Sequence, residues 1–288
     1  MGAHAVRAGE RLGRMTIEFD GRPVTADDLC ALALYNYGHF TSMKVEEGLR
    51  VRGLSLHIER LARDCKILFD TDVDHQRVRH LVRRVADVSP LPVIVRVTVF
   101  DPRLELGHPG SNAEPHILVS TRPASTNVAA PPLRLKSMRY ERDLPAVKHV
   151  GLFATLYHRR AAQLSSFDDV LFTDSSSQIS EGATWNIGFV HSNQVEPTRA
   201  EYTLWPQSDV LPGVTMQLVK NVLSDMGVRS TTGVVTISQV AGMRAAFVTN
   251  ASVGVRPVRS IDNVDFSMDV PLLAAMQRNY LSSRGEPL

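Results

Sequence analysis

Leu144-Pro-Ala-Val-Lys-His-Val-Gly-Leu-Phe153 sets a single lysine, Lys148, among apolar neighbours. Such a lysine either carries its ammonium out to water on an apolar stem or is enclosed for its chemistry. Enclosure disfavours the charged form, and a neutral amine is a nucleophile and a base. Three later stretches supply what such an amine could work with. Glu181-Gly-Ala-Thr-Trp-Asn-Ile-Gly-Phe-Val190 offers a carboxylate, an amide and an apolar strand. Leu211-Pro-Gly-Val-Thr215 places a glycine before a helix, where backbone N–H groups, the helix dipole and the Thr215 hydroxyl suit an anion. Phe247-Val-Thr-Asn-Ala-Ser-Val-Gly-Val-Arg-Pro-Val258 joins two apolar runs through small polar residues. Taken singly, each also fits an ordinary role: a snorkelling lysine, a glutamate in a turn, a plain helix start.

The 288 residues can bury a substantial core, enough for two modest domains or one large one. With 32 basic and 30 acidic residues the net charge is +2, so no bulk electrostatic argument favours nucleic acid or an anionic membrane. Cys30 and Cys65 sit in apolar segments without metal-ligand spacing or a secreted disulfide framework, which points to a reduced cytoplasm and no metal. The start carries Arg7, Arg11 and Arg14 but no apolar run of signal-peptide length, and no later run is long enough to span a bilayer.

Residues 1–16 read as a frayed N-terminus, followed by a smaller α+β domain over 17–121. There, strand patterns cover 16–19, 40–45, 49–52, 93–99 and 117–120, with a turn at Gly21 and a hairpin closed near Gly48. Ser55 is placed to cap a helix that buries Ile58, Leu61, Ala62, Cys65, Leu68 and Phe69, with Arg60 beside that face. A second helix over 76–88 buries Val78, Leu81, Val82 and Val85 and gives Arg77, Arg79, Arg83 and Arg84 a solvated face. The loop 101–115 is too long and irregular for a plain hairpin. Proline and small residues mark 122–132 as a linker to a larger domain over 133–288. That domain has helices near 150–164, 214–226 and 270–281, and strands at 170–173, 185–190 and 245–249.

Lys148, Glu181-Gly182, the 211–215 segment and the 247–258 segment, in that order, resemble the class IV (fold type IV) pyridoxal-phosphate enzymes. The resemblance runs from Ile17 to the C-terminus. It implies a two-domain α+β fold of the D-amino acid aminotransferase-like kind, pyridoxal 5'-phosphate as cofactor, and a homodimer. By the same resemblance Lys148 is the Schiff-base lysine and Glu181, followed by Asn186, meets the pyridine nitrogen. Leu211 packs on the ring. Val214, Thr215, Arg60 in His57-Ile-Glu-Arg60, and the Ala251-Ser252 loop hold the phosphate.

The family includes branched-chain, D-amino acid and R-selective amine aminotransferases and aminodeoxychorismate lyases, so the reaction is less defined than the cofactor. An aminotransferase working on an amino donor and a keto acid is the first expectation, and a pyruvate-releasing lyase the second. A non-catalytic cofactor-binding homologue is the contrasting class. Phe40-Thr-Ser42, Lys148-His149 and Asn250-Ala251 resemble lyase spellings. Against a familiar substrate stand the segment Asp101-Pro-Arg-Leu-Glu-Leu-Gly-His108, where relatives carry Arg-Gly, together with Trp185, Phe153 and Thr155. Arg96, Arg103, Arg139 and Arg142 are candidate carboxylate binders, and Tyr35, Phe40, Thr41 and Trp185 candidate pocket residues.

Overall fold

The computed structural model describes residues 15–124, 130–191 and 201–288 as two sheets with attached helices. Residues 1–14 of the expected frayed segment, and 125–129 of the expected linker, lie outside the described residues.

The first sheet uses β1 (Ile17–Phe19), β2 (Arg22–Pro23), β3 (His39–Glu46), β4 (Arg50–Val51), β5 (Val93–Phe100) and β6 (His116–Pro123). Alternation gives its central strands two distinct faces. Met43, Val45, Val93, Val95, Val97, Val99, Ile117 and Val119 pack with α2 (Leu54–Phe69) and α3 (His75–Asp87) in one core. In-register pairing of Ser42 with Arg96, and of Arg96 with Ser120, puts the polar residues on the opposite face. Part of that face is covered by α1 (Ala26–Tyr35), whose Leu29 and Leu32 pack on Phe19, Phe100 and Leu118. One expectation changes here. Ser55 is not the cap of α2: Gly53, at φ 68, precedes Leu54, and the Ser55 N–H and hydroxyl bind Glu286 instead. Cys30 is exposed and Cys65 is buried.

Loop 101–115 does join two paired strands, since β5 and β6 are antiparallel from Val93↔Pro123 to Phe100↔His116. Asp101 ties its base by accepting from the Arg103 and Glu114 N–H groups, each at 2.8 Å. The arginines of α3 bind this chain's own groups: Arg77 meets Asp20, Arg84 meets Glu18, and Arg79 and Arg83 meet carbonyls of Pro287 and Leu288.

The second sheet comprises β7 (Leu133–Arg139), β8 (Asp169–Thr173), β9 (Ile179–Gly182), β10 (Asn186–His191), β11 (Tyr202–Pro206), β12 (Ser230–Gly233), β13 (Ala245–Asn250), β14 (Gly254–Ile261) and β15 (Val264–Asp265). β9 pairs with both β8 and β10, so the path β10-β13-β14-β7-β8-β9 closes on itself. Leu133, Leu135, Leu171, Ile187, Phe189 and Val248 belong to one apolar cluster of this ring. Around it, α4 (Phe153–Leu164) packs on Val170 and Phe172, and α5 (Val214–Asp225) and α6 (Pro271–Ser282) pack on Val190, Ala245 and Phe247. The last strand, β16 (Glu286–Pro287), returns to pair with β4 of the first sheet.

Candidate active site

Residues of both sheets line a cavity of about 520 Å³. Lys148 reaches it on a segment stitched to β3: the Phe40 N–H donates to the Lys148 carbonyl at 2.9 Å, and the Val150 N–H to the Gly38 carbonyl at 2.9 Å. From α2, buried Asp64 accepts the Lys148 N–H at 3.0 Å. The Lys148 amine lies 4.8 Å from the centroid of the Phe40 ring. The residue keeps some exposure because it lines the cavity, yet the surrounding protein desolvates the ammonium. Desolvation first, then Arg60 and Arg142, lowers its pKa from 10.5 to about 7, against the opposing pull of Glu181.

Arg60 is buried on α2 and donates through Nη2 to Thr41 Oγ1 at 2.5 Å. Thr41 Oγ1 lies 2.7 Å from His57 Nδ1. With its lone pairs drawn on by Arg60, the hydroxyl donates to Nδ1, which leaves the proton of a neutral imidazole on Nε2. Burial and the Arg60 charge hold the His57 pKa well below its ordinary value, consistent with that neutral form. Arg60 Nε is buried with no hydrogen-bond partner among the described residues, an uncompensated donor beside the cavity.

Glu181 is the penultimate residue of β9 and is buried. Its Oε1 accepts from Arg142 Nη1 at 2.8 Å, and its Oε2 from the Leu211 N–H at 3.2 Å. Desolvation pushes its pKa up, and the Arg142 charge and these hydrogen bonds oppose that rise. Arg142 is in turn fixed by the Val147 carbonyl at 2.8 Å. Asn186 is opposite both Glu181 and Thr249 in the sheet, and its Nδ2 donates to the Leu211 carbonyl at 2.9 Å. The 211–215 segment is thereby held from both sides.

At the start of α5, Gly213 supplies no capping side chain, and an added Cβ there would stand 2.0 Å from Asn186 Oδ1. First-turn N–H groups of a helix lack intrahelical acceptors, so this end suits an anion. Beside it, the loop after β13 is shaped by Asn250, whose Oδ1 accepts the N–H groups of Ser252 and Val253, each at 3.0 Å. The Ser252 hydroxyl accepts from Arg122 Nη2 at 2.8 Å.

Of the residues singled out in the sequence, Lys148, Arg60, Glu181, Asn186, Leu211, Val214, Thr215, Ala251, Ser252, Phe40, Arg96, Arg142 and Trp185 line this one cavity. Thr155, marked as a departure from the family pattern, also lines it. Four other candidates do not. Thr41 is on the α2-facing side of β3, so it holds Arg60 rather than contacting the cavity. Tyr35 is exposed at the end of α1. Arg103 pairs with Glu114 in the loop, and Arg139 is exposed at the end of β7. Residues not anticipated at the site are His57, Asp64, Arg122 and Arg159. The spacing of His57 from Arg60, one helical turn, was the only signal available for any of them. Trp185 is locked by its indole N–H to Asp169 Oδ2 at 2.9 Å, and the same oxygen accepts from Arg159 Nη2 at 2.5 Å. Among the described residues there is no cluster of three metal-ligating side chains and no helix long and apolar enough to cross a membrane.

A closed β-ring joined to a smaller sheet, with a desolvated lysine, a buried carboxylate and a helix N-terminus on one cavity, defines a class of protein. The chain belongs to the amino-transferase class IV family, whose sequence pattern matches residues 38–261. Its fold is similar to a branched-chain aminotransferase of the archaeon Thermoproteus uzoniensis, solved with norvaline, at 17% identity and a TM-score of 0.81 over 92% of this chain and 93% of that one. It is similar to a candidate 4-amino-4-deoxychorismate lyase of Legionella pneumophila at 20% identity and a TM-score of 0.75, over 88% and 92% of the two chains. A hypothetical aminotransferase of Mycobacterium tuberculosis, in its PLP-bound form, is similar at 18% identity and a TM-score of 0.76, over 93% and 98%. No curated protein sequence matches the chain.

Proposed function

We propose that the chain is a pyridoxal-phosphate-dependent aminotransferase moving an amino group between an amino acid or amine and a keto acid. The observation that carries this reading is the Lys148 amine, desolvated to a pKa of about 7, in the same cavity as buried Glu181 and the uncapped start of α5. The cofactor fits the residues present. Arg60 with its unpartnered Nε, the first N–H groups of α5 and Thr215 would take the phosphate. Glu181 would face the pyridine nitrogen, Leu211 the ring, and Lys148 the aldehyde. The cavity is within the usual range of ligand sites, about 300–1,000 Å³.

Bound there, pyridoxal phosphate would supply an aldehyde that condenses with amines and a ring that accepts the electron pair left when a bond at Cα breaks. Lys148, half neutral near pH 7, would take the proton from the substrate's Cα as a base and give it back as an acid. Glu181, its orientation set by Arg142 and the Leu211 N–H, would keep the pyridine nitrogen protonated. Arg96, whose guanidinium lies 3.6 Å from the centroid of Phe40, binds a substrate carboxylate.

The reading is tested by adding pyridoxal phosphate to the purified chain. A visible absorbance band that borohydride abolishes, with the reduced adduct mapped to Lys148, is expected, followed by keto-acid-dependent amine exchange. A protein that shows the band but exchanges no amine favours the non-catalytic cofactor-binding homologue, and one that stays colourless overturns the reading. The lyase reading is supported by His149 beside Lys148 and by Asn250-Ala251, all of which line the cavity. Pyruvate release from aminodeoxychorismate without any amino acceptor decides for it. A homodimer is part of the proposal: Phe153, 83% exposed, and exposed Leu156 and Tyr157 leave an apolar strip on α4 beside the cavity residues Leu152 and Thr155. Two unpaired cysteines favour a reducing, cytoplasmic setting.

A further inference from the structure

Glu181 pairs with Asn186 where β9 turns into β10, and the Gly182 N–H donates to the Trp185 carbonyl at 3.0 Å, so only Ala183 and Thr184 are left to make the turn. Against that turn lies the Trp185 indole. A Cβ added at Gly182 would stand 2.2 Å from Trp185 Cζ2, so the benzene edge of the indole fills the space that any side chain at 182 would need. The turn is also tied outward. Asn250 Nδ2 donates to the Thr184 carbonyl at 3.4 Å, and Asn250 shapes the neighbouring loop through the Ser252 and Val253 N–H groups.

A single oxygen holds the indole. Asp169, the first residue of β8, is buried, and its Oδ2 accepts from Trp185 Nε1 at 2.9 Å and from Arg159 Nη2 at 2.5 Å, while Oδ1 accepts the Val170 N–H at 2.8 Å. An indole has one donor, so Asp169 takes all of its polar capacity. Arg159 is on α4, one turn beyond the cavity residue Thr155, and α4 starts directly after the Lys148 segment. One carboxylate oxygen thereby joins the helix that follows Lys148 to the turn that carries Glu181. Stability alone is a poor reason for this arrangement. Trp185 belongs to the apolar ring cluster with Leu133, Leu171 and Ile187, and a buried charge network adds little net stability over apolar residues of similar size. What it adds is a fixed direction for the ring it holds.

We propose that Asp169 and Trp185 are positioning residues for the pyridine end of the cofactor: the Asp169 carboxylate holds the indole on Gly182, and the indole fixes the backbone from which Glu181 reaches the cavity. The proposal rests on the cofactor reading above. Trp185, a departure from the family pattern, then acts on the cofactor site from behind rather than on the substrate.

The test uses Trp185→Phe, which keeps an aromatic ring and deletes the N–H, Asp169→Leu, which deletes the acceptor, and Asp169→Asn, which keeps an acceptor but weakens the bond. Each protein is titrated with pyridoxal phosphate, and the absorbance of the bound cofactor is followed against pH. Trp185→Phe and Asp169→Leu are each expected to weaken cofactor binding about three- to tenfold, the worth of one buried hydrogen bond, and to move the pH midpoint of that absorbance. Combined, they lose no more than either alone, because both remove the same contact. Asp169→Asn gives a smaller change of the same sign, and decides the matter by itself where the harsher variants do not fold. In a Glu181→Gln background the Trp185→Phe change in midpoint disappears, because the indole acts through that carboxylate. Variants whose melting temperature falls while affinity and midpoint stay at wild-type values overturn the proposal, and so does a change in midpoint that persists in Glu181→Gln. A wild-type chain that takes up no cofactor defeats the cofactor reading instead. Infrared titration of the Glu181 carboxyl in that apoprotein then decides the positioning: Trp185→Phe is expected to let water reach the turn and bring down the Glu181 midpoint, which burial holds up, and an unchanged midpoint overturns it.

Discussion

Lys148 is charged at a cost. Its pKa in the folded chain, about 7, is below the 10.5 of an ordinary lysine, because burial and three neighbouring guanidinium groups, those of Arg60, Arg142 and Arg96, oppose the positive form. Below pH 7 the amine is protonated folded or unfolded, and the folded state bears the whole penalty. As pH rises from 7 toward 10.5 the folded amine is already neutral, so the penalty shrinks and then vanishes. Lys148→Met is therefore expected to raise the melting temperature of the apoprotein at pH 7, with the gap closing by about pH 10. A gap that stays constant across that range would contradict the account. The same residue sets a kinetic expectation: uptake of pyridoxal phosphate by the apoprotein should be half-maximal near pH 7, and a midpoint near that of an exposed lysine would disprove the enclosure. Glu181 and Arg142 form the second residue-level device, with side chains only 6% and 14% exposed. Arg142→Met strands a buried carboxylate and is expected to cost about 3–5 kcal/mol, while adding Glu181→Gln returns much of it. Urea denaturation of the two single variants and the double variant measures the coupling, and additive losses would show that the pair is not one unit.

At the scale of elements, the start of α5 depends on the absence of one methyl group. Gly213 is in extended backbone, so its value is close approach rather than conformational freedom. A Cβ would collide with Asn186 Oδ1, the atom partner of the amide that anchors Leu211. Gly213→Ala is expected to cost about 1–3 kcal/mol and to weaken cofactor retention, and Asn186→Ala in that background should recover stability by removing the obstacle. Thermal denaturation and a pyridoxal phosphate titration check both parts. Strand β3 shows a second elemental device: Phe40 and Ser42 face the cavity while Thr41 faces α2 and holds Arg60. One residue of register thus separates the side chains that line the cavity from the one that supports Arg60.

For the whole molecule, the site exists because the two sheets are held together, and the C-terminus helps to hold them. β16 pairs with β4, Glu286 binds the first turn of α2, and Leu288 packs on the core of the first sheet. Removing residues 286–288 is expected to lower the melting temperature by roughly 5 °C or more, at about 2–4 °C per kcal/mol for a chain of this size. It should also loosen cofactor binding, since α2 carries His57 and Arg60. An unchanged melting curve would mean that the returning strand contributes no stability.

Periodicity in the sequence was enough for α2, α3, α4, α5 and the central strands β3, β5, β6, β8, β10 and β13, because each alternates or repeats against a single core. Order and spelling of the segments around Lys148, Glu181, Gly213 and Ala251 were enough for the family and for most of the cavity lining. Strands β7, β11, β12 and β14 escaped because polar or proline residues interrupt their pattern, and their identity comes from pairing with distant partners. Asp64 on the Lys148 backbone, Arg122 on Ser252, and Glu286 on Ser55 were equally invisible. Each joins residues 84, 130 or 231 positions apart. The sequence by itself determined which side chains could do the chemistry; only the tertiary structure decided which of them meet, because those contacts are made across the space between two sheets rather than along the chain.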